Sequence, residues 1–308
     1  MSSSAELSTS SVTPPQVVCV GESMLLVTPV NEPLSTALSA MVSLAGAESN
    51  VAAQLAASGH HAVWASRLGN DPLGQRICGE LEARGVHLWV ETDEHAPTGV
   101  MFKDPAAEGS SVYYYRRDSA ASRMAPGFLQ PEQLQGVRIV HVTGITAALS
   151  ASCAAMLDQL IDDAHAAGAL VSFDVNDRRS LWPLDEAATM LEALAQRADI
   201  CFVGRDEAER LWGTVHPDAI RQLLHSCRTL VVKDGDVGAT EFTDTAAAVF
   251  VAAPPVDVVE PVGAGDAFAA GYLGALLEGA DATARLAAGH ESAGRVLRIS
   301  GDLPPLGE

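Results

Sequence analysis

The sequence predicts an α/β fold, in which helices cover a mostly parallel sheet and a small β-sheet forms a lid. Short apolar runs alternate with helix-like segments along most of the 308 residues, and this strand–helix–strand rhythm is typical of parallel sheets. The rhythm is interrupted once, by a hairpin-like stretch with no helix between its strands. Hydrophobic residues make up 48% of the chain, which is enough for one large domain with a sizeable core.

In the first third of the chain, apolar runs mark the strands and glycines mark the ends of the helices. Gly59 and Gly85 each follow a helix-like segment, a position that glycine occupies at little conformational cost. The predicted strands are 17–20, 25–27, 62–66 and 86–90, and the predicted helices are 48–58 and 72–84.

The interruption falls after these elements. Apolar strands at 100–103 and 112–116 flank a turn that contains Pro, Ala and Gly, a pattern that favours a hairpin. The segment 38–44 is assigned to the same small sheet. The lid is therefore predicted to take its strands from about 24–45 and 97–117.

After the lid the alternation of strands and helices returns. The predicted strands are 139–142, 170–173, 200–203, 230–232, 239–243 and 247–252, and the predicted helices include 153–167, 264–278 and 282–297. A helix-covered sheet with a β-rich insertion implies a cleft between the two parts. Open α/β sheets bind ligands outside the carboxyl ends of their strands, so the site is expected there.

Charge and composition narrow the function. The chain has 39 acidic and 19 basic residues and a net charge of -20, which disfavours nucleic acids and anionic membranes as partners. No apolar run is long enough to span a bilayer. The five cysteines include no CxxC pair and are interpreted as reduced thiols of a cytoplasmic protein. Residues 1–15, rich in Ser and Thr, are expected to be a disordered tail rather than a signal peptide, and 16–308 to form the folded domain.

The segment 261–268 (PVGAGDAF) carries the most chemical information. Gly263, Ala264 and Gly265 leave the backbone N–H groups uncovered where an Ala-rich helix begins, and such a helix start is an anion site. Asp266 follows in the first turn. An anion site beside a fixed carboxylate suits phosphoryl transfer, in which the carboxylate takes the proton of the accepting hydroxyl. Taken alone, the segment is also compatible with a flexible loop and a helix cap.

This segment resembles the C-terminal signature of the ribokinase-like, or PfkB, carbohydrate kinases. Residues 45–52 (AGAESNVA) and 66–74 (SRLGNDPLG) are similar to the N-terminal signature of that family, and 231–239 (VVKDGDVGA) to its nucleotide-side strand and turn. The resemblance covers nearly the whole chain from Val17 on. It implies a ribokinase-like three-layer sandwich with a small β-sheet lid, ATP and Mg²⁺ as cofactors, Asp266 as the catalytic base, and Lys233, Gly235 and Gly238 beside the nucleotide.

Within the family the sequence is most similar to the 2-keto-3-deoxygluconate kinases, through residues 46–50, 97–99, 112–117, 119–122 and 174–178. This likeness implies a sugar-acid substrate. Two positions apart on a strand, Tyr114 and Arg116 share a face, and an arginine can bind a carboxylate by two hydrogen bonds. The implied substrate-binding residues are Gly46, Asn50, Tyr114, Arg116 and Arg178.

The sequence departs from the family pattern at three places. The Asn of an Asn-x-x-Glu metal motif is lost in Gly204–Glu207, so two roles stay open for Glu207: a contact to the metal through water, or that of a glutamate at a helix start. Glu260-Pro261-Val262 stands where an Asp-Thr-Thr-like run is common, and Met101 replaces a Tyr. Two other functions therefore stay open: a kinase of a neutral sugar such as fructose or ribose, and a non-catalytic sugar sensor. A homo-oligomer formed through the lid is a further expectation.

Overall fold

A computed structural model describes residues 13–30, 32–106, 109–299 and 301–304, and in this part of the chain the strands form two sheets. The larger sheet contains β1 Val17–Val20, β4 Ala62–Gly69, β5 His87–Asp93, β8 Ile139–Thr143, β9 Leu170–Asp174, β10 Ile200–Gly204, β11 Thr229–Asp234, β12 Gly238–Thr243 and β13 Val249–Ala252. The smaller sheet contains β2 Met24–Pro29, β3 Ala40–Ala45, β6 Val100–Ala106 and β7 Gly109–Tyr115.

The α-helices of the described residues lie mostly between strands of the larger sheet. They are α1 Ala47–Ala57, α2 Pro72–Ala83, α3 Gly144–Leu149, α4 Ala151–Ala166, α5 Leu184–Arg197, α6 Arg205–Trp212, α7 Pro217–Leu223, α8 Ala264–Leu277 and α9 Ala282–Val296. No helix in the described ranges is both long and apolar enough to cross a membrane.

The larger sheet has the order β13-β12-β11-β10-β9-β8-β1-β4-β5. Its strands pair in parallel from β11 to β5, whereas β12 pairs antiparallel with both β11 and β13. Because parallel strands present their carboxyl ends at one edge, the last residues of β8 to β11 lie together, as Asp174 and Lys233 do.

Helices cover both faces of this sheet, which gives three layers. The side chains of β1 alternate between two apolar cores: Val18 and Val20 face one, and Val17 and Cys19 the other. The first core is completed by residues of α3 to α7, and the second by residues of α1, α2, α8 and α9. Fully buried strands of this kind need apolar residues on both sides, which is why β1 reads as a continuous apolar run.

The predicted α/β fold class is confirmed, and the differences are local. Helix α3 lies between β8 and α4, where the sequence predicted a single helix. Strand β6 runs on to Ala106, and β4 extends to Gly69. The predicted tail falls largely on residues 1–12, outside the described residues, while 13–15 carry no regular secondary structure. That the four-stranded sheet moves as a lid stays a prediction.

Candidate active site

The start of α8 is built around Gly263, the residue before the helix. Gly263 has φ 81° and ψ -12°, a left-handed conformation that glycine adopts without the steric penalty of a side chain. The chain turns sharply there, and α8 begins at Ala264 with Gly265 next. The N–H groups of this first turn have no partner within the helix, so together with the helix dipole they form a site for an anion.

Asp266 lies in this first turn and is almost fully buried, with 8% of its surface exposed. Burial raises its pKa to about 7, and the charges of Asp174 and Asp302 add to the rise, whereas Asn50 and Arg178 oppose it. The Asn50 Nδ2 atom donates a hydrogen bond of 2.9 Å to Asp266 Oδ2. A carboxyl group with a pKa near 7 exchanges protons readily at neutral pH, as a general base must.

Two cavities meet at Asp266. The lid-side cavity, about 560 Å³, is lined by the smaller sheet and the start of α1. The strand-end cavity, about 910 Å³, is lined by the carboxyl ends of β9 to β11 and by α8 and α9. The residues that line both are Arg178, Val262, Gly263 and Asp266. The arrangement holds one ligand on each side of a buried carboxyl group.

Of the residues expected to bind substrate, Gly46, Asn50, Tyr114, Arg116 and Arg178 all line the lid-side cavity. A Cβ atom at Gly46 would lie 2.4 Å from the Glu22 carbonyl oxygen, so only glycine fits between α1 and the residues after β1. The five are thus brought together, although the charges of Arg116 and Arg178 are not equally available to a ligand.

Arg116 is already engaged in a buried ion pair. Its Nη2 atom lies 2.5 Å from Glu22 Oε2, and Ser119 Oγ donates to Glu22 Oε1 at 2.6 Å. The guanidinium lies 5.7 Å from the ring centre of Tyr114, and its Nε atom is buried without a hydrogen-bond partner. Arg116 can still donate hydrogen bonds, but Glu22 balances its charge.

Arg178 differs from Arg116 in this respect. It is exposed, and none of the acidic groups in the described ranges lies within ion-pairing distance of it. Its charge nevertheless lowers the pKa of both Asp266 and Asp302, so its field reaches the buried carboxyl groups. Of the two arginines, Arg178 is therefore the one whose charge no acidic side chain of the described residues balances by an ion pair, so it is available to a ligand.

The residues expected on the nucleotide side all line the strand-end cavity: Lys233, Gly235 and Gly238. The Lys233 Nζ atom lies 2.8 Å from Asp174 Oδ2 and 3.5 Å from the position that a Cβ on Gly265 would take. Burial alone would lower the pKa of Lys233, but Asp174 and Glu207 outweigh it and raise that pKa. A fixed ammonium group therefore lies beside the anion site.

Glu207 has a structural role, because its carboxylate accepts hydrogen bonds from backbone N–H groups. Its Oε2 accepts from the Gly204 N–H at 2.8 Å and its Oε1 from the Asp177 N–H at 2.9 Å, so both oxygens already have partners. Asp174 Oδ1, in contrast, is buried in the same cavity without a partner. Carboxylate oxygens suit Mg²⁺, and this free oxygen fits such an ion, although no cluster of three or more metal-binding side chains occurs among the described residues.

Three residues that the sequence interpretation missed also lie at the site. Asp302 is buried, its pKa is raised by burial, and it accepts a 3.4 Å hydrogen bond from Asn50 Nδ2. Lys103 lines the lid-side cavity and forms an ion pair with Glu260. Asn176, two residues after β9, donates to Asp266 Oδ1. Two of the three carried a signal. Lys103 lies two positions after Met101 on one face of a predicted strand, and Asn176 lies in the stretch 174–178 that resembles the 2-keto-3-deoxygluconate kinases.

This three-layer fold, with a buried carboxyl group between two cavities and a helix start that suits an anion, is that of a small-molecule phosphotransferase. A model of the pfkB family of carbohydrate kinases matches residues 14–306, and the chain belongs to that family.

Individual relatives agree with the family. The chain is 40% identical over 245 residues to a 2-dehydro-3-deoxygluconokinase of Bacillus subtilis, covering 77% of this chain and 75% of that one. It superposes on a PfkB protein of Polaromonas sp. JS666 with a TM-score of 0.87 and 33% identity, over 92% and 96% of the two chains. A fructokinase of Xylella fastidiosa with bound ATP gives a TM-score of 0.82 and 25% identity, over 93% of each chain.

Proposed function

We propose that this carbohydrate kinase transfers the γ-phosphoryl group of ATP to a hydroxyl, most simply the terminal one, of a 2-keto-3-deoxy sugar acid such as 2-keto-3-deoxygluconate. The observation that carries the proposal is the position of Asp266, a buried carboxyl group with a pKa near 7 at the boundary of two cavities. The acceptor would occupy the lid-side cavity and ATP the strand-end cavity.

In this mechanism the acceptor hydroxyl gives its proton to ionised Asp266 while its oxygen attacks the γ-phosphorus. The bond from that phosphorus to the bridging oxygen breaks, and ADP leaves. The N–H groups of Gly263, Ala264 and Gly265 and the Lys233 ammonium group would stabilise negative charge on the transferred group. Mg²⁺, when bound, would neutralise charge on the phosphate oxygens. Asp174, and Glu207 only through water, are the residues able to hold it.

The charges of the lid-side cavity bear on the substrate. Three cations and three carboxyl groups line it: Lys103, Arg116 and Arg178, and Glu22, Asp266 and Asp302. Two of the cations have acidic partners, which leaves Arg178 to bind a substrate carboxylate, with Arg116 adding hydrogen bonds. Asp302 would accept a hydrogen bond from a hydroxyl near the reacting one.

The same charges are also compatible with a neutral sugar as the substrate. Because Glu22 balances Arg116, a sugar such as fructose or ribose could bind without a carboxylate, and one structural relative is a fructokinase. A sugar sensor without activity is a weaker candidate, since a binding protein has no use for a buried base between its two ligands.

Two further parts of the proposal are the oligomeric state of the enzyme and its location in the cell. The face of the smaller sheet that points away from the lid-side cavity includes Val42, Tyr113 and Tyr115, which are 37%, 48% and 67% exposed, and such a surface supports a homo-oligomer formed through the lid. The five cysteines are all unpaired, which supports a cytoplasmic location.

The test is a coupled ADP-release assay across 2-keto-3-deoxygluconate, its C4 epimer, fructose and ribose. We expect the two acids to give the highest kcat/KM. The Asp266→Asn variant should lose about 10² to 10⁴ in kcat while its affinity for ATP, measured by calorimetry, stays within a few-fold. Near-normal turnover of Asp266→Asn would exclude Asp266 as the base, and preference for a neutral sugar would exclude the acid assignment.

A further inference from the structure

Asp266 is held from two sides by amide side chains. Asn50 Nδ2 donates to Asp266 Oδ2 at 2.9 Å, and Asn176 Nδ2 lies 3.4 Å from Asp266 Oδ1. Both asparagines are buried, at 1% and 7% exposure. Asn50 lines only the lid-side cavity and Asn176 only the strand-end cavity. The two amides therefore hold different oxygens of the carboxylate from opposite sides.

The backbone of Asn176 is strained in order to reach this position. Its φ is 37°, and only one other non-glycine residue in the described ranges, Asp118, has a positive φ. Asparagine tolerates this left-handed region better than most residues, although at a cost that glycine avoids. Strain of this kind persists where the surroundings fix the backbone.

Hydrogen bonds on both sides fix the backbone at Asn176. The Val175 N–H donates to the Phe202 carbonyl at 2.9 Å, and the Asp177 N–H donates to Glu207 Oε1 at 2.9 Å. Glycine adopts a positive φ without this strain, so the turn alone does not call for asparagine. What asparagine adds at this position is the contact of its side chain with Asp266.

We propose that Asn176 is a positioning residue for Asp266, which fixes the Oδ1 atom so that the carboxylate faces the acceptor hydroxyl. This inference rests on the proposed role of Asp266 as the base. Asn176 is the only side chain of the described residues that donates a hydrogen bond to Asp266 Oδ1. Without it, the carboxylate is free to turn about the bond to Asn50.

Loss of Asn176 should also change the pKa of Asp266, which depends on the charged groups around this carboxylate. Asp174 and Arg178 face it from β9 and the segment after it, Lys233 from β11, and Asp302 from the C-terminal segment. These charges stay in place when Asn176 is changed. Removing one donor to the ionised carboxylate raises its pKa, so activity should require a higher pH.

The experiment is Asn176→Gly, which removes the amide and relieves the backbone strain in one step. We expect its Tm to equal or exceed that of the wild type while kcat falls roughly 10- to 100-fold. The KM for ATP should change less than threefold, and the acidic limb of the kcat/KM profile for the acceptor should move to higher pH. The matched control is Asp118→Gly, which relieves a positive φ of 57° at an exposed turn and should leave kcat and the pH profile unchanged.

Two outcomes would overturn the proposal. One is an Asn176→Gly enzyme with wild-type kcat and pH profile. The other is a large rise in the KM for ATP with an unmoved acidic limb, which would assign the amide to the nucleotide. If Asn176→Gly does not fold, Asn176→Asp keeps the side-chain shape, and the new carboxylate should move the limb further; an unmoved limb there also contradicts the proposal. The Asp266→Asn variant distinguishes failure of this inference from failure of the proposed function. If Asp266→Asn stays active, Asp266 is not the base and the proposed function fails. If Asp266→Asn is inactive, an unchanged Asn176→Gly enzyme contradicts only the positioning role of Asn176.

Discussion

The Arg116 guanidinium and the Glu22 carboxylate form a buried ion pair, with Nη2 and Oε2 2.5 Å apart. Glu22 follows β1 in the larger sheet, and Arg116 follows β7 in the smaller one. The pair therefore joins the two sheets beside the lid-side cavity. An arginine that the sequence assigns to the substrate thus has a structural partner as well.

We expect Arg116→Ala to destabilise the fold, because it leaves the Glu22 carboxylate buried without its cation. Breaking a buried pair from one side typically costs about 3 kcal/mol or more, which urea unfolding at neutral pH would measure. Arg117→Ala, at the exposed neighbouring position, is the control and should change the free energy of unfolding by less than about 0.5 kcal/mol. Equal unfolding midpoints for the two variants would show that the pair adds no stability.

Gly263 gives a second prediction, because it combines a positive φ with a close neighbour. A Cβ there would lie 3.0 Å from the Cα and carbonyl oxygen of Asp302, whereas a Cβ at Gly279, which has φ 80°, would contact nothing within 4 Å. Gly279→Ala should cost about 1 kcal/mol for the conformation alone. Gly263→Ala should cost about 2 kcal/mol and also lower kcat, since the anion site must shift. Equal losses in thermal unfolding would mean that the Asp302 contact relaxes freely.

The sequence predicted the fold well because its signals are local. Apolar runs in β1 and β8, and glycines after α1 and α2, depend on neighbours in the chain. The predictions of a base at Asp266 and of an anion site at Gly263 to Gly265 rest on the same kind of local signal, since these residues form one segment.

The remainder of the site depends on contacts between distant segments. Asp302 reaches Asn50 across 252 positions, and no periodicity marks it. The pairing of Arg116 with Glu22 likewise joins two sheets, so composition and spacing could not reveal that its charge is balanced. The backbone strain at Asn176 is visible only once β9, β10 and α6 are assembled.

Asp266 should make the stability of the protein depend on pH. Its pKa is about 7 in the folded protein, mainly because of burial, against roughly 4 in the unfolded chain. The folded state binds more protons between these values, so stability falls as the pH rises from about 4 through 7. Asp266→Asn should therefore gain stability over the wild type, on the order of 4 kcal/mol at pH 8 and little at pH 4.

Unfolding curves at both pH values would measure this difference. Asp257→Asn, at an exposed position, controls for the loss of one negative charge. A constant difference between Asp266→Asn and the wild type across this range would contradict the pKa shift.

Closure of the smaller sheet is the next prediction. Lys103 on β6 forms an ion pair with Glu260, just before Gly263, so the small sheet already contacts the segment that leads into the anion site. Binding of the acid together with a non-hydrolysable ATP analogue should slow hydrogen exchange in β6 and β7, because closure excludes water. The buried strands β1 and β8 serve as the internal reference. Unchanged exchange in β6 and β7 at saturation would argue for a rigid sheet.

The last prediction separates an acid substrate from a neutral one through Arg178. A charge-assisted hydrogen bond is worth roughly 1.5 to 3 kcal/mol, which corresponds to about 10- to 100-fold. Arg178→Ala should lower kcat/KM for 2-keto-3-deoxygluconate by that factor and for fructose by much less, because only the acid loses a partner for its carboxylate.

The ratio between the two substrates is the quantity to measure, since Arg178 also lowers the pKa of Asp266 and its loss will slow every acceptor somewhat. Arg179→Ala, at the next exposed position, is the matched control and should leave the ratio unchanged. Arg116→Ala cannot replace this test, because the unpaired Glu22 would disturb any ligand. If Arg178→Ala lowers both substrates equally, no carboxylate is bound there, and the neutral-sugar kinase becomes the better assignment.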